Sequence, residues 1–170
     1  MPTWVLALNY SLHLLATVVW LGGLTTLTLV AWPTFSRALQ VNALPEGWLF
    51  EALERRLRPL ANISLAVLAV TGLIQMGGNP NYSGFLRITN IWSLSLLLKH
   101  VAVGGMIILS AVMQWAVYPA LNRAALLAQH NATRGAAMQG ELRRRLRRLV
   151  ALNLALGVLV LIFTAVMTAL

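Results

Sequence analysis

The sequence predicts an all-α integral membrane protein, an up-and-down four-helix bundle with interfacial amphipathic segments in its two cytoplasmic loops. Three observations carry that prediction. Of 170 residues, 59% are hydrophobic and 10% charged, and the mean hydropathy is +0.75, a balance too apolar for a water-soluble domain of this size. Four apolar runs, over 4–32, 60–76, 91–118 and 150–170, have the length needed to cross the ~30 Å hydrocarbon core of a bilayer. The arginines behind the formal net charge of +9 gather at the ends of these runs, where basic residues set topology and meet anionic headgroups. The lipid bilayer is therefore the expected partner, and nucleic acid is not.

The first span, from Trp4 to Trp32, is interrupted only by Asn9, Ser11, His13 and scattered Thr and Gly. Pro33 and the polar Thr34 to Arg37 end it, with Trp32 placed as an aromatic-belt residue. Met1-Pro2-Thr3-Trp4 lacks a basic n-region, so this run is expected to stay in the mature protein. Between Arg37 and Arg58, Pro45-Glu46 can open a helix, and Trp48, Leu49, Leu53 and Leu57 share a face opposite Glu51, Glu54, Arg55 and Arg58. This reads as a short interfacial helix running into the second span. That span carries Asn62, Ser64, Thr71 and Gln75, and stops at the turn formers Gly77-Gly78-Asn79-Pro80-Asn81.

The third span starts near Ile88 to Trp92 and is expected to continue to Tyr118, where Pro119 interrupts it. Leu121 to Arg148 reads as a helical hairpin arm or an interfacial helix, ending in Arg143-Arg144-Arg145-Leu146-Arg147-Arg148. The fourth span is broken only by Asn153, Gly157, Thr164 and Thr168. Lys and Arg are abundant in the first and third loops, while the second holds Arg87 alone, which predicts both termini on the outer side of the inner (plasma) membrane. No internal repeat is read from the sequence, and the chain is expected to form one domain over 1–170.

Chemistry is concentrated in two spans. Lys99 and His100 lie side by side inside an apolar run, and an ionisable residue at membrane depth is by default a functional-site hypothesis. Neighbouring residues point about 100° apart on a helix, so each needs its own polar surroundings. His13 lies 12 residues beyond Met1 and His100 lies 12 beyond Ile88, which predicts similar depths in the first and third helices. Two imidazoles so placed could take both axial positions of a haem iron, between parallel helices of a bundle. Each could instead be a structural histidine bonded to a neighbouring hydroxyl or carbonyl.

The flanking residues support the ligand reading. Asn9, Ala16, Thr17 and Trp20 share the His13 face, offering hydrogen-bond partners for the second ring nitrogen and a flat indole to pack on a macrocycle. Ser93, Gly104 and Ala111 share the His100 face, and small residues there leave room for a planar cofactor or allow close helix packing. Arg87 is expected to approach haem propionates in bidentate fashion. Lys99 could snorkel, pair with a propionate or lose its charge on burial. His130 reads as solvated. Met76, Met106 and Met113 could ligate Cu(I), though thioethers at such positions are more often core filler. There is no cysteine, so thiolate metal sites and Cys-linked haem are excluded.

Two stretches carry a family resemblance. Leu12-His13-Leu14-Leu15-Ala16-Thr17-Val18-Val19-Trp20-Leu21-Gly22-Gly23-Leu24 resembles the first-helix motif of the copper-resistance D (CopD) domain and of the related HemJ-type protoporphyrinogen oxidases. Leu96-Leu97-Leu98-Lys99 resembles the Leu-rich lysine motif of both. The HemJ resemblance implies a haem b ligand at His13 and a place for Lys99 in the same site; the CopD resemblance implies copper uptake or handling across the inner membrane. His100, directly after that lysine, is an additional ligand candidate. Together these point to haem b held by His13 and His100 for electron transfer, in a small subunit of a membrane redox complex or a homo-oligomer. The alternatives are copper bound by His and Met, or a HemJ-like oxidase.

Overall fold

The structure is a computed structural model that describes residues 2–34, 48–78 and 91–169, with side chains placed for all of these except 48–54. It is all-α, with four helices long and apolar enough to cross a membrane. These are α1, Thr3–Thr34; α2, Trp48–Gly77; α3, Ile91–His130; and α4, Ala132–Ala169. Among the described residues there is no strand. The apolar faces that the helices do not bury against one another are lined with exposed Leu, Ile and Val, among them Leu14, Val18, Ile63, Ile108 and Ile162. Such surface is stable in lipid and not in water.

The described chain divides after Leu97 into two compact units. In the first, α1 packs on α2. Asn9, Ala16, Trp20, Leu24 and Ala31 are buried along one stripe of α1, the i, i+3/i+4, i+7 spacing of a single helical face. Across from it α2 buries Ser64 and Thr71. The amphipathic segment expected before the second span, where described, is the first part of this one helix, which runs on through Pro59.

In the second unit, the end of α3 packs along α4. At ~1.5 Å per residue these helices are about 60 Å and 57 Å long, nearly twice the hydrocarbon thickness, so the chain past Tyr118 continues as an antiparallel helical arm. Of the two forms expected for 121–148, the hairpin is the one observed. Asn131 makes its turn: it is extended at φ −145° and ψ 94°, and its Oδ1 accepts from the Arg134 N–H at 3.2 Å and the Thr133 hydroxyl at 3.3 Å, an N-cap for α4. Gly135 then lies so close to the opposite helix that a Cβ there would fall 2.6 Å from the Ala128 Cβ. Deeper in this unit Asn153 donates to the Ser110 hydroxyl at 3.2 Å, and a Cβ on Gly105 would meet Leu156 at 3.2 Å.

The two helix pairs repeat one pattern, which the sequence reading did not detect. Both odd-numbered helices widen into a π-helical turn, Thr26–Ala31 in α1 and Met113–Val117 in α3. In each an aromatic N–H reaches five residues back, Trp32 to the Leu27 carbonyl and Tyr118 to the Met113 carbonyl, and in each the next residue is proline. A proline inside a helix lacks its N–H and presses on the carbonyl four residues earlier, and a wider turn relieves that clash. Pro33 and Pro119 are 119 − 33 = 86 positions apart. The same shift superposes buried Asn9 on Ser95, Ala16 on Ala102, Trp20 on Met106 and Ala31 on Val117, and it carries His13 onto Lys99. In the even-numbered helices Arg55-Arg56-Leu57-Arg58 is matched by Arg144-Arg145-Leu146-Arg147, and buried Ser64 by buried Asn153. The identities are few and scattered, so only burial and the paired π turns bring them into register.

Candidate functional site

His13 is half-buried at the centre of the inward stripe of α1, one turn from Asn9 and two from Trp20. Its ring meets α2. His13 Nδ1 lies 2.7 Å from Thr71 Oγ1, and Asn9, on the same face, donates its amide to the Thr71 carbonyl in a long 3.4 Å bond. Two side chains of α1 therefore grip one residue of α2. Gly72, next in sequence, has only hydrogen where a Cβ would sit 3.6 Å from His13 Cε1, so the α2 backbone lies against the imidazole edge.

The other residues expected around His13 take distinct places. Thr17 donates its hydroxyl to the His13 backbone carbonyl at 2.8 Å, so this bond supports the helix turn beneath the imidazole. Trp20 is buried on the stripe. Sequence reasoning missed Thr71 and Gly72 as site residues. The signal available for them was a Thr-Gly pair in the middle of an otherwise apolar span.

Lys99, His100 and Gly104 lie on α3, in the second unit. Lys99 and His100 are both half-buried, but their helical neighbours differ. Trp92, Ser95, Leu96, Ala102 and Met106, at three, four and seven residues from Lys99, are all buried, which centres Lys99 on the inward stripe. His100 has buried Ser93 and Leu96 before it, then half-buried Gly104 and Ile107, which is 43% exposed, after it. It flanks that stripe. A Cβ at Gly104 would meet nothing within 4 Å, whereas the adjacent Gly105 is the packing glycine against Leu156. Met106 and Met113 are buried in the same stripe, Met76 is half-buried, and His130 is exposed on the arm. Arg87 lies outside the described residues.

In the first unit His13 offers an imidazole tied from one side, and in the second unit Lys99 and His100 offer an amine and an imidazole. Among the described residues no three His, Asp or Glu side chains gather into a metal-binding group.

No curated protein and no solved structure matches the chain. The family described as Copper resistance protein D matches residues 51–167. That range takes in three of the four membrane helices with Lys99 and His100, and begins after the His13 motif. With most of its length matched, this multi-pass membrane protein belongs to the copper resistance protein D (CopD) family.

Proposed function

We propose that this CopD-family protein binds haem b in the membrane, with His13 as one axial ligand and a nitrogen of α3 as the other, and serves electron transfer as a small subunit of a larger redox complex. One observation carries the reading: a histidine on a buried membrane stripe whose Nδ1 is held by a hydroxyl of the neighbouring helix. A haem-ligating imidazole is commonly oriented in this way, by a hydrogen bond to its non-ligating nitrogen. Haem iron supplies a one-electron ferric–ferrous couple, tuned by its axial ligands and burial. The residues of this chain fix the ligand's orientation and exclude water. For the second ligand, His100 completes a bis-histidine pair, while the burial pattern of α3 favours Lys99.

The family description gives equal support to a second reading, in which His13, His100 and Met76 bind copper. An absorption spectrum of the purified protein, oxidised and then reduced, separates the two. Haem b gives a Soret band and sharp reduced bands; bound copper found by metal analysis with no Soret band overturns the haem reading. The arginine distribution further supports both termini on the outer side of the inner membrane. A C-terminal reporter that is active only in the cytoplasm would reverse that topology.

A further inference from the structure

We infer that Thr71 is a positioning residue that fixes the tautomer of His13, an inference that rests on reading His13 as a ligand. The Thr71 hydroxyl has one proton to donate. It lies 2.6 Å from the Val67 carbonyl, one turn back in α2, and 3.4 Å from the Leu68 carbonyl. A carbonyl can only accept, so the hydroxyl proton points to Val67 and the Thr71 oxygen is left as an acceptor. The 2.7 Å contact with His13 Nδ1 is then an N–H donated by the ring to Thr71. A neutral imidazole with its proton on Nδ1 carries its lone pair on Nε2, the nitrogen turned away from Thr71.

The surroundings make this orientation hard to reverse. Turning the ring over would place a carbon against Thr71 Oγ1 and forfeit the bond at a buried position, where losing a hydrogen bond is costly. Asn9 holds the same residue through its backbone carbonyl. Thr71 thus acts on a ligated group through His13: it orients the lone pair, and its accepting oxygen makes the imidazole more electron-rich.

The test uses the full-length protein in detergent or lipid, with Thr71→Val, which keeps the shape and loses the hydroxyl, and Thr71→Ser, which keeps the hydroxyl. In cofactor-free protein labelled with ¹⁵N-histidine, the His13 ring is assigned by its loss in His13→Gln. The wild-type and Ser variant should show a protonated Nδ1 and an unprotonated Nε2, and the Val variant should lose this preference. With haem loaded, Thr71→Val should weaken haem retention by ~10–100-fold, the usual loss on removing such an outer partner, and shift the midpoint potential, with Ser restoring both. A wild-type His13 protonated on Nε2, or a Val variant with an unchanged tautomer, overturns the inference. The expected tautomer in a protein that takes up no haem leaves Thr71's role standing and removes the haem reading instead.

Discussion

In the first helix pair an imidazole meets a threonine hydroxyl across the helix contact, and in the second pair the corresponding position carries Lys99. The contacts of Ser110 with Asn153 and of Gly105 with Leu156 set the register of α3 against α4. Each odd-numbered helix therefore presents one nitrogen base on its inward stripe, and in the first pair the partner is a threonine whose proton is spent on the Val67 carbonyl of its own helix. The repeat preserves the position and changes the base. An imidazole is matched by an amine, and the second imidazole, His100, stands about 100° around the helix from the repeated position.

The largest expected effect tests this correspondence directly. His13→Ala should abolish haem binding, because it removes the ligand the first pair holds in place. Lys99→Ala should open one coordination position, giving a high-spin spectrum that responds to carbon monoxide. His100→Ala should retain a low-spin spectrum. The reverse outcome, with His100→Ala opening the iron and Lys99→Ala leaving it six-coordinate, would establish a bis-histidine haem and show that the repeat of the frame does not extend to the ligands.

A smaller effect separates the pairs at the second pair's arm. Gly135 packs against the Ala128 backbone beside the Asn131 turn. Gly135→Leu must push the two arm helices apart, and overpacking of this kind costs ~1–3 kcal/mol. The arm should open locally, with faster amide exchange and proteolysis around residues 124–139, while haem content stays at the wild-type level. Haem loss in this variant would mean that the arm and the Lys99–His100 region, which belong to the same unit, open together rather than separately.

Much of the fold was legible because the bilayer enforces simple rules. Apolar length located all four spans, and the turn formers at Gly77-Gly78 marked the end of α2; Pro119, expected to interrupt the third span, does not end it, because a π turn before the proline lets α3 run on to His130. Helix continuity was harder to read. Arg-rich and Ala-rich segments from Leu121 to Arg148 are good helix formers in water as well as at an interface, so composition could not distinguish a projecting hairpin from a surface helix. At the site, Asn9, His13 and Trp20 were legible as one face because helical period is a local property. Thr71 was not, since its pairing with His13 depends on the register of α1 against α2, which no single helix encodes. The choice between Lys99 and His100 was obscured for a related reason: adjacent polar residues look alike in sequence, and only burial of Trp92, Ala102 and Met106 shows which one is centred on the inward face.

The smallest effect concerns the matched buried residues Ser64 and Asn153. Asn153 is 1% exposed, and its amide donates to Ser110 while its Oδ1 finds no hydrogen-bond partner among the described residues. Flipping the amide gives no relief, because Ser110 could then donate to Oδ1 and the NH₂ group would be stranded instead. A bond between membrane helices is worth only ~0.6 kcal/mol on average, whereas an unsatisfied buried polar group costs ~1–3 kcal/mol. Asn153→Leu, which keeps the branched side-chain skeleton without the amide, should therefore leave the protein about as stable or about 1 kcal/mol more stable in a denaturing-detergent titration. Ser64→Ala in the first pair should change stability by less than ~0.5 kcal/mol. If Asn153→Leu instead destabilises by more than about 1 kcal/mol, Oδ1 has a partner such as a buried water, and the second helix pair is held together by a polar contact that the first pair, with only a serine at the matching position, does not need.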